Sequence, residues 1–326
     1  MLLPSHGPTP DKAFFGDGLT LPARITIPEM FRRHREHHGV LCAIVIDVSK
    51  ETQNFKSLTV PQQEVLIHVL SRLLYASTII NRRLPEFHST IARQKQSTIE
   101  GAEGDIRSMV AFDTRAIGSL CANYLNDVCK TPAPPAVALT PNFLKLFDRI
   151  LAPQFDAYLA ATKSNTANPI AAEVRLRTIY HVIAEGLGAV SAIKGMGAAL
   201  QQLDSRHEQG KDQSGRYLPG LYETFQRIAF IERRNVAYGL FCLNRLGTGA
   251  NYFSTTRELL STVKEVRPVL EAMRGETFGR WSPFPFDIDR QSLQDQTAKH
   301  VQGWIKKLII PWAGFKNVES LSDIIC

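Results

Sequence analysis

Two glutamates stand in the middle of otherwise apolar helical patterns, and their type and spacing make them the best candidates for chemistry. Glu185 lies within the helical run 175–203 and Glu232 within the run 217–246, each among apolar residues that recur at helical spacing. An ionised carboxylate is almost never buried unless it is paired or holds a metal ion. Two such carboxylates on core-facing helices therefore indicate a buried polar site.

Other arrangements of the two carboxylates are open at this stage. Both could lie at the edge of the apolar stripe and pair with Arg233 or Arg234. If they are buried without a metal ion, they share a proton, which raises one pKa, or an inward-turned arginine such as Arg115 neutralises them. His181 lies one helical turn before Glu185 and is expected to form a hydrogen bond along the helix face rather than to bind metal.

The elements that must position these residues are helices. Apolar residues follow helical periodicity in several long runs, and no strand pair is evident. Besides the two central runs, they are 59–84, which Pro85 is expected to end, 106–128, 142–161, 254–273 and 291–310. The polar segment 204–215 is expected to be a loop. The pattern predicts an all-α helical bundle over residues 28–326, preceded by an irregular arm over residues 1–27.

Composition narrows the class of protein. The 326 residues are 44% apolar, which is enough for a sizeable core, and no apolar stretch reaches the roughly 18 residues of a membrane span. The formal charge of +7 is spread along the chain, so nucleic-acid binding is not indicated. Five cysteines without zinc-like or disulfide-like spacing favour a reducing compartment. A cytoplasmic location is expected, with an organellar or viral origin as the alternative.

Five features of the sequence occur in a characteristic order: Ile46-Asp-Val-Ser-Lys-Glu-Thr-Gln-Asn-Phe, Ala76-Ser-Thr-Ile-Ile-Asn, Ala184-Glu-Gly, the pair Glu232 and Asn235, and the stretch from Trp304 to Val318. Together they resemble the small, radical-generating subunit of ribonucleotide reductase. Their order and spacing, rather than any single motif, carry the resemblance over most of the chain. It implies a ferritin-like helical bundle, usually a homodimer, in which six ligands from four facing helices hold two irons.

The resemblance implies a ligand set that this chain keeps only in part. Glu185 and Glu232 match ligand glutamates, and Asp113 is available as a third oxygen donor where the family has a histidine. The other three positions are lost: Ser77 replaces an aspartate, Val110 a glutamate and Asn235 the last histidine. Only these remnants remain, so we expect neither a diiron centre nor any other cofactor.

The radical machinery implied by the resemblance is also absent. The position of the radical tyrosine is Ile117, and Tyr124 lies two turns further along the helix. Phe55 and Ile231 stand where the family has the tryptophan and aspartate of its radical-transfer path. The chain ends at Cys326, so the tail that grips the large catalytic subunit is expected to be missing.

These departures predict a small-subunit-like pseudoenzyme that acts as a structural or partner-binding subunit. We expect a homodimer, a heterodimer with a related small subunit, or a subunit of a larger assembly. The alternative is a functional small subunit that supports deoxyribonucleotide synthesis through a noncanonical or partner-supplied radical, since metal-free relatives replace ligand carboxylates. A third interpretation is a mononuclear metal site formed by Asp113, Glu185, Glu232 and Asn235, which amide coordination disfavours for transition metals.

Overall fold

The computed structural model describes residues 51–94, 100–131, 133–164, 168–208, 217–247, 249–281 and 283–287, together with Ile46, Val48, Asp289 and Gln291. The expected arm over residues 1–27 lies outside the described residues, and so does the expected helix over residues 291–310 apart from its first residue.

The described part of the chain contains seven helices of α or mixed α and π type, besides the short 3₁₀ helices Ala136–Ala138, Gly249–Asn251 and Pro285–Asp287. The seven are α1 Glu51–Lys56, α2 Val60–Gln94, α3 Glu100–Asp127, α4 over residues 141–163, α5 over residues 169–208, α6 Pro219–Leu246 and α7 Tyr252–Gly279. No strand occurs within the described ranges, which confirms the all-α prediction. None of these helices combines the length and apolar character that crossing a membrane requires.

Two of the helices contain a π-helical stretch. α4 comprises Pro141–Leu144, the π segment Lys145–Leu151 and Ala152–Lys163. α5 comprises Pro169–Arg177, the π segment Thr178–Ala189 and Val190–Glu208, so its last turn occupies the start of the segment expected to be a loop. π-helical turns are rare and are frequently found at functional sites. The π segment of α5 contains Glu185.

α2 continues through Pro85, where the sequence predicted its end. Pro85 removes one backbone donor from the helix, but the residue itself lies on the exposed face of α2. Leu84 and Phe87 next to it are buried, with 0% and 1% exposure. Their packing outweighs the roughly 3 kcal/mol that an interior proline costs a helix. Pro268 is likewise exposed inside α7.

The helices that carry the candidate residues face one another. α2 packs against α3, and α6 packs against both α3 and α5. Buried side chains form two apolar clusters, one around Phe87 and Phe155 and the other around Leu66, Ile117 and Ile228. This packing brings α3, α5 and α6 together with their acidic residues directed into the bundle.

The N-terminus of α6 is capped by Glu51, the first residue of α1. The residue before α6 supplies no side-chain cap. Instead, the Glu51 carboxylate accepts hydrogen bonds from the backbone N–H groups of Gly220 and Leu221 and from the Tyr124 hydroxyl, the last at 2.6 Å. Backbone donors in the first turn of a helix need such partners. Because α6 carries Glu232, this contact from α1 helps to position the candidate site.

Candidate functional site

Glu185 and Glu232 are buried between α5 and α6. Glu185 is 3% exposed and Glu232 is 6% exposed. The alternative in which both lie at the edge of an apolar stripe is therefore wrong. The helical periodicity placed these two carboxylates in the core correctly, and the structure sets them on helices that are in contact.

The two glutamates differ in their hydrogen bonding. Oε2 of Glu185 lies 2.8 Å from Nδ1 of His181, which is the helix-face hydrogen bond expected from the sequence. Oε1 of Glu185 accepts a hydrogen bond from Nδ2 of Asn235 at 3.3 Å. Oε2 of Glu232 and Oδ1 of Asn235, by contrast, are buried and have no hydrogen-bond partner among the described residues. Within that part of the chain, two acceptor oxygens three residues apart on α6 thus lack a donor.

Asp113 on α3 is paired with an arginine from α6. Arg234 is fully buried and donates a hydrogen bond from its guanidinium to Oδ2 of Asp113. Its guanidinium carbon also lies 5.4 Å from the centre of the Phe230 ring. Arg115, which the sequence offered as an inward cation, is exposed. The inward cation is therefore Arg234, and the carboxylate it neutralises is that of Asp113.

Burial raises the pKa of both glutamates, so each is a weaker acid than an exposed glutamate. It raises the pKa of Glu232 from 4.5 to about 8. The pKa of Glu185 lies well above its ordinary value because of burial and then because of the charge of Glu232, with a smaller contribution from Asp113. Close carboxylates in a core cannot both ionise freely, so the pair retains a proton near neutral pH when no cation is bound.

The imidazole of His181 is neutral. Burial, followed by the nearby charge of Arg177, holds the pKa of His181 well below its ordinary value of 6.5. Arg177 is itself fully buried and paired with Glu173 at 2.7 Å. A neutral His181 orients Glu185 without adding positive charge to the site.

The three positions where ligands are lost, Ser77, Val110 and Asn235, lie in the core and offer no anionic donor. Val110 and Asn235 are both 0% exposed. Ser77 donates its hydroxyl to the Leu74 carbonyl at 2.9 Å. Ser77 also packs against Gly118, where a Cβ would come 2.8 Å from its Oγ. The hydroxyl of Ser77 therefore serves its own helix.

Tyr180 belongs to the site, although α-helical periodicity did not indicate it. It is fully buried, and its ring centre is 4.1 Å from that of His181. Burial and then the charge of Glu185 raise the pKa of Tyr180 well above its ordinary value. Hydrogen bonds in a π-helix run from i to i+5, so residues five apart approach one another more closely than in an α-helix. The π winding of α5 thus brings Tyr180 towards Glu185.

Comparison with known proteins gives matches only among solved structures. No protein-family model matches the chain, and no curated protein matches its sequence. A variant of an R2-like ligand-binding oxidase with an anaerobically reconstituted Mn/Fe cofactor matches with a TM-score of 0.70 at 16% identity, over 88% of this chain and 95% of that chain. Another variant, with an aerobically reconstituted Fe/Fe cofactor, gives 0.69 at 16% identity over 88% and 95%.

These similarities define the fold. A third structure, the R2-like ligand-binding oxidase with an aerobically reconstituted Mn/Fe cofactor, matches with a TM-score of 0.68 at 15% identity over 88% of this chain and 94% of that chain. The chain therefore has the ferritin-like helical bundle of ribonucleotide reductase small-subunit-like proteins, as its sequence predicted. Sequence identity of 15–16% supports a shared fold, whereas the chemistry depends on the residues at the site.

The same comparisons overturn the expectation that this protein has no cofactor. The structural neighbours contain Mn/Fe or Fe/Fe cofactors, which points to a metal cofactor in this fold rather than to none. Whether such a cofactor has one metal ion or two is a separate question. The Asp113 carboxylate already forms an ion pair with Arg234, so it is not free to bind a metal ion. Within the described residues, no three His, Cys, Asp or Glu side chains are grouped to hold a metal ion. The arrangement does not fit a dinuclear centre, and we derive no chemical step from one.

Proposed function

We propose that this chain is a ribonucleotide reductase small-subunit-like pseudoenzyme that generates no tyrosyl radical and acts as a structural or partner-binding subunit of a larger assembly. The observation that carries the proposal is the ion pair between Arg234 and Asp113. A guanidinium fixed on this carboxylate supplies a permanent cation in the middle of the bundle, so one charge of the site is balanced without redox-active metal.

The surroundings of the radical position support the same conclusion. Ile117, Phe55 and Ile231 are 2%, 3% and 2% exposed and belong to one apolar cluster. Apolar side chains cannot transfer a proton and an electron. Tyr124 is engaged elsewhere, because its hydroxyl donates to Glu51 at 2.6 Å and thereby helps to close the N-terminus of α6.

A metal ion without a radical is compatible with this role. The Mn/Fe and Fe/Fe cofactors of the structural neighbours favour retained metal binding between α5 and α6, where Glu185 and Glu232 lie. In a partner-binding subunit such an ion stabilises the folded bundle, because a ligand that binds only the native state shifts the folding equilibrium.

A functional small subunit with its radical on another residue is the second candidate, and Tyr180 favours it. Tyr180 is a buried phenol beside His181 and close to Glu185. A phenol next to a carboxylate has a group that can receive its proton during oxidation. This candidate requires a radical that depends on Tyr180 and not on Tyr124.

Electron paramagnetic resonance of the protein loaded with iron and manganese in air tests both candidates. We expect no tyrosyl radical in the wild-type protein. A radical that persists in Tyr124→Phe and disappears in Tyr180→Phe would establish the second candidate. Ribonucleotide reduction by this protein together with a large catalytic subunit from the same source would also contradict the pseudoenzyme role.

The native mass of the endogenous protein tests the partner-binding part of the proposal. We expect a complex of defined stoichiometry that contains other chains, either a related small subunit or the members of a larger assembly. A monomer or homodimer that persists across ionic strengths and protein concentrations would contradict it.

A further inference from the structure

Arg177 on α5 is a buried cation whose hydrogen bonding is incomplete. The side chain is 0% exposed, and its Nε donates to the Glu173 carboxylate, one turn earlier on α5, at 2.7 Å. Its two terminal nitrogens, Nη1 and Nη2, have no hydrogen-bond partner among the described residues. These nitrogens carry four of the five N–H donors of the guanidinium. Because charged groups in a protein core are normally hydrogen-bonded, the terminal nitrogens require an acceptor.

Aromatic side chains enclose this guanidinium. Its carbon lies 5.2 Å from the centre of the Phe87 ring on α2 and 5.7 Å from that of the Tyr238 ring on α6. Both side chains are at most 1% exposed. Aromatic faces attract a cation, but they are much weaker acceptors for N–H groups than a carboxylate or water oxygen. The rings therefore hold the guanidinium in place without satisfying its terminal nitrogens.

The electrostatic potential around Arg177 is positive. The pKa of His88 on α2 reflects this potential, because burial, then the charge of Arg177 and then that of Arg107 on α3 lower it from 6.5 to about 3. Arg107 is itself 7% exposed. Two guanidinium groups, from α5 and α3, thus act on the same part of the core. Such a potential favours an anion over a neutral water molecule as the acceptor for Nη1 and Nη2.

The shape of the donor group indicates which anion suits it. A guanidinium presents its N–H groups in a planar fork, which matches the two oxygens of a carboxylate or a similar planar oxyanion. Phe155 and Tyr158 on α4 pack edge-on against Phe87, and both are at most 1% exposed. Enclosure by buried rings from three helices excludes a large ligand, so the anion is small.

We propose that Nη1 and Nη2 of Arg177 bind one small planar oxyanion, such as formate or bicarbonate, in the core of the bundle. Glu173 accepts from the Nε edge of the guanidinium, and the anion accepts from its terminal edge. The site uses neither Glu185 nor Glu232. It does not depend on the partner-binding role proposed above, because an enclosed anion that binds only the folded state stabilises the bundle whichever partners the protein has.

Anion stoichiometry is the first test. The full-length protein is incubated with formate below its melting temperature, long enough for local opening to exchange buried ions, and is freed of excess formate by rapid gel filtration. The protein is then denatured, and the released formate is measured by ion chromatography. We expect one formate per chain. No retained formate would overturn the proposal and would mean that water satisfies the terminal nitrogens of Arg177.

Matched substitutions on α5 locate the anion. Arg177→Lys keeps a positive charge for Glu173 but removes the planar fork, so it should retain less formate than the wild-type protein by about tenfold or more. The control is Arg175→Lys, two residues earlier, because Arg175 is partly exposed and pairs with Glu258 and Glu265 on α7. The control should retain formate like the wild-type protein. Equal retention by all three proteins would show an adventitious ion only.

Glu173 provides a test in the opposite direction, which remains decisive if Arg177→Lys does not fold. Glu173→Gln removes the carboxylate that neutralises the guanidinium, so formate should bind more tightly than in the wild-type protein. The formate-induced increase in melting temperature should therefore be larger in this variant. A Glu173→Gln protein that folds only in the presence of formate would likewise support the proposal. An increase equal to or smaller than that of the wild-type protein would overturn it.

Discussion

Gly239 on α6 lies against the side chain of His181 on α5. A Cβ atom at position 239 would come within 2.2 Å of the His181 Cβ and 2.1 Å of its Cγ. Only glycine allows this approach of the helix backbone to the imidazole. The contact holds the ring that bonds Glu185, so a residue without a side chain determines the geometry of the carboxylate site.

Replacing this glycine should therefore destabilise the protein. An alanine inside a helix gains about 1 kcal/mol over glycine, but overpacking typically costs about 1–3 kcal/mol. We expect Gly239→Ala to lower the free energy of unfolding. Gly197→Ala is the control, because a Cβ there meets nothing within 4 Å, and it should be neutral or stabilising. Urea unfolding followed by circular dichroism measures both, and equal effects of the two changes would contradict the contact.

The buried ion pair gives a second prediction. Arg234→Met leaves Asp113 charged in the core, and such a change typically lowers stability by about 3–5 kcal/mol. Combining it with Asp113→Leu removes both charges and should restore most of the loss. The coupling free energy from the double-mutant cycle in urea is the measured quantity. A coupling energy near zero would show that the two side chains do not interact in solution.

The pKa of Glu232 leads to a pH dependence. In the metal-free protein the folded state keeps a proton that the unfolded chain releases, because the pKa of Glu232 rises from 4.5 to about 8 on folding. Stability should fall as pH rises through this range, by at most about 1.4 kcal/mol per pH unit for this group. Glu232→Gln should flatten the profile between pH 6 and 8. Unfolding titrations in the presence of a chelator test this, and a wild-type stability that increases with pH would contradict it.

His68 on α2 predicts the opposite trend in acid. It is 3% exposed, and its ring packs edge-on against Trp281. Neither ring nitrogen has a hydrogen-bond partner in the part of the chain that the structure describes. Burial, then Arg72 and Arg280, lower the pKa of His68 from 6.5 to about 3. Below pH 6.5, His68 binds a proton in the unfolded chain but stays neutral in the folded state. Stability therefore falls as pH drops from 6.5 towards 3.

Substitution of His68 tests this trend. His68→Phe keeps a ring against Trp281 and removes the titrating group, so the loss of stability between pH 6.5 and 5 should be smaller by about 1.6 kcal/mol than in the wild-type protein. Chemical unfolding at the two pH values provides the comparison. Identical pH profiles for the two proteins would show that the imidazole is protonated in the folded state.

The structural role of Tyr124 can be separated from any radical role. Tyr124→Phe removes a buried hydrogen bond to the Glu51 carboxylate and should cost about 1.5–3 kcal/mol. Tyr75→Phe removes an exposed hydrogen bond to Asp148 of similar length, 2.8 Å, and should cost much less. Melting temperatures measured by calorimetry distinguish the two. An unchanged melting temperature for Tyr124→Phe would show that this hydrogen bond does not help to stabilise the N-terminus of α6.

The sequence predicted those parts of the site that follow helical periodicity. Glu185 and Glu232 interrupt apolar patterns, and both are buried as the patterns indicate. The partner of Arg234 could not be predicted from the sequence, because Asp113 lies 121 residues away on another helix. Local spacing carries no information about such a pair. The contact becomes evident only when α3 and α6 are packed together.

The structure differs from the sequence prediction at two further places, Tyr180 and Pro85. Tyr180 approaches Glu185 because α5 is wound as a π-helix there, and a pattern with 3.6 residues per turn separates the two. Pro85 does not end α2, because its exposed side leaves the packing of Leu84 and Phe87 intact. At Pro85, tertiary packing outweighs a local preference that the sequence displays, whereas at Tyr180 the winding of the helix departs from the α-helical period.

The closure of α6 by Glu51 has a consequence for the order of folding. The carboxylate and the Gly220 amide it binds are 169 positions apart in the chain. Contacts between distant residues form only after the loop-closure entropy of the intervening segment has been overcome, and they slow folding. We therefore expect the hydrogen bonds in the first turn of the helix that carries Glu232 to be completed only after α1 has docked.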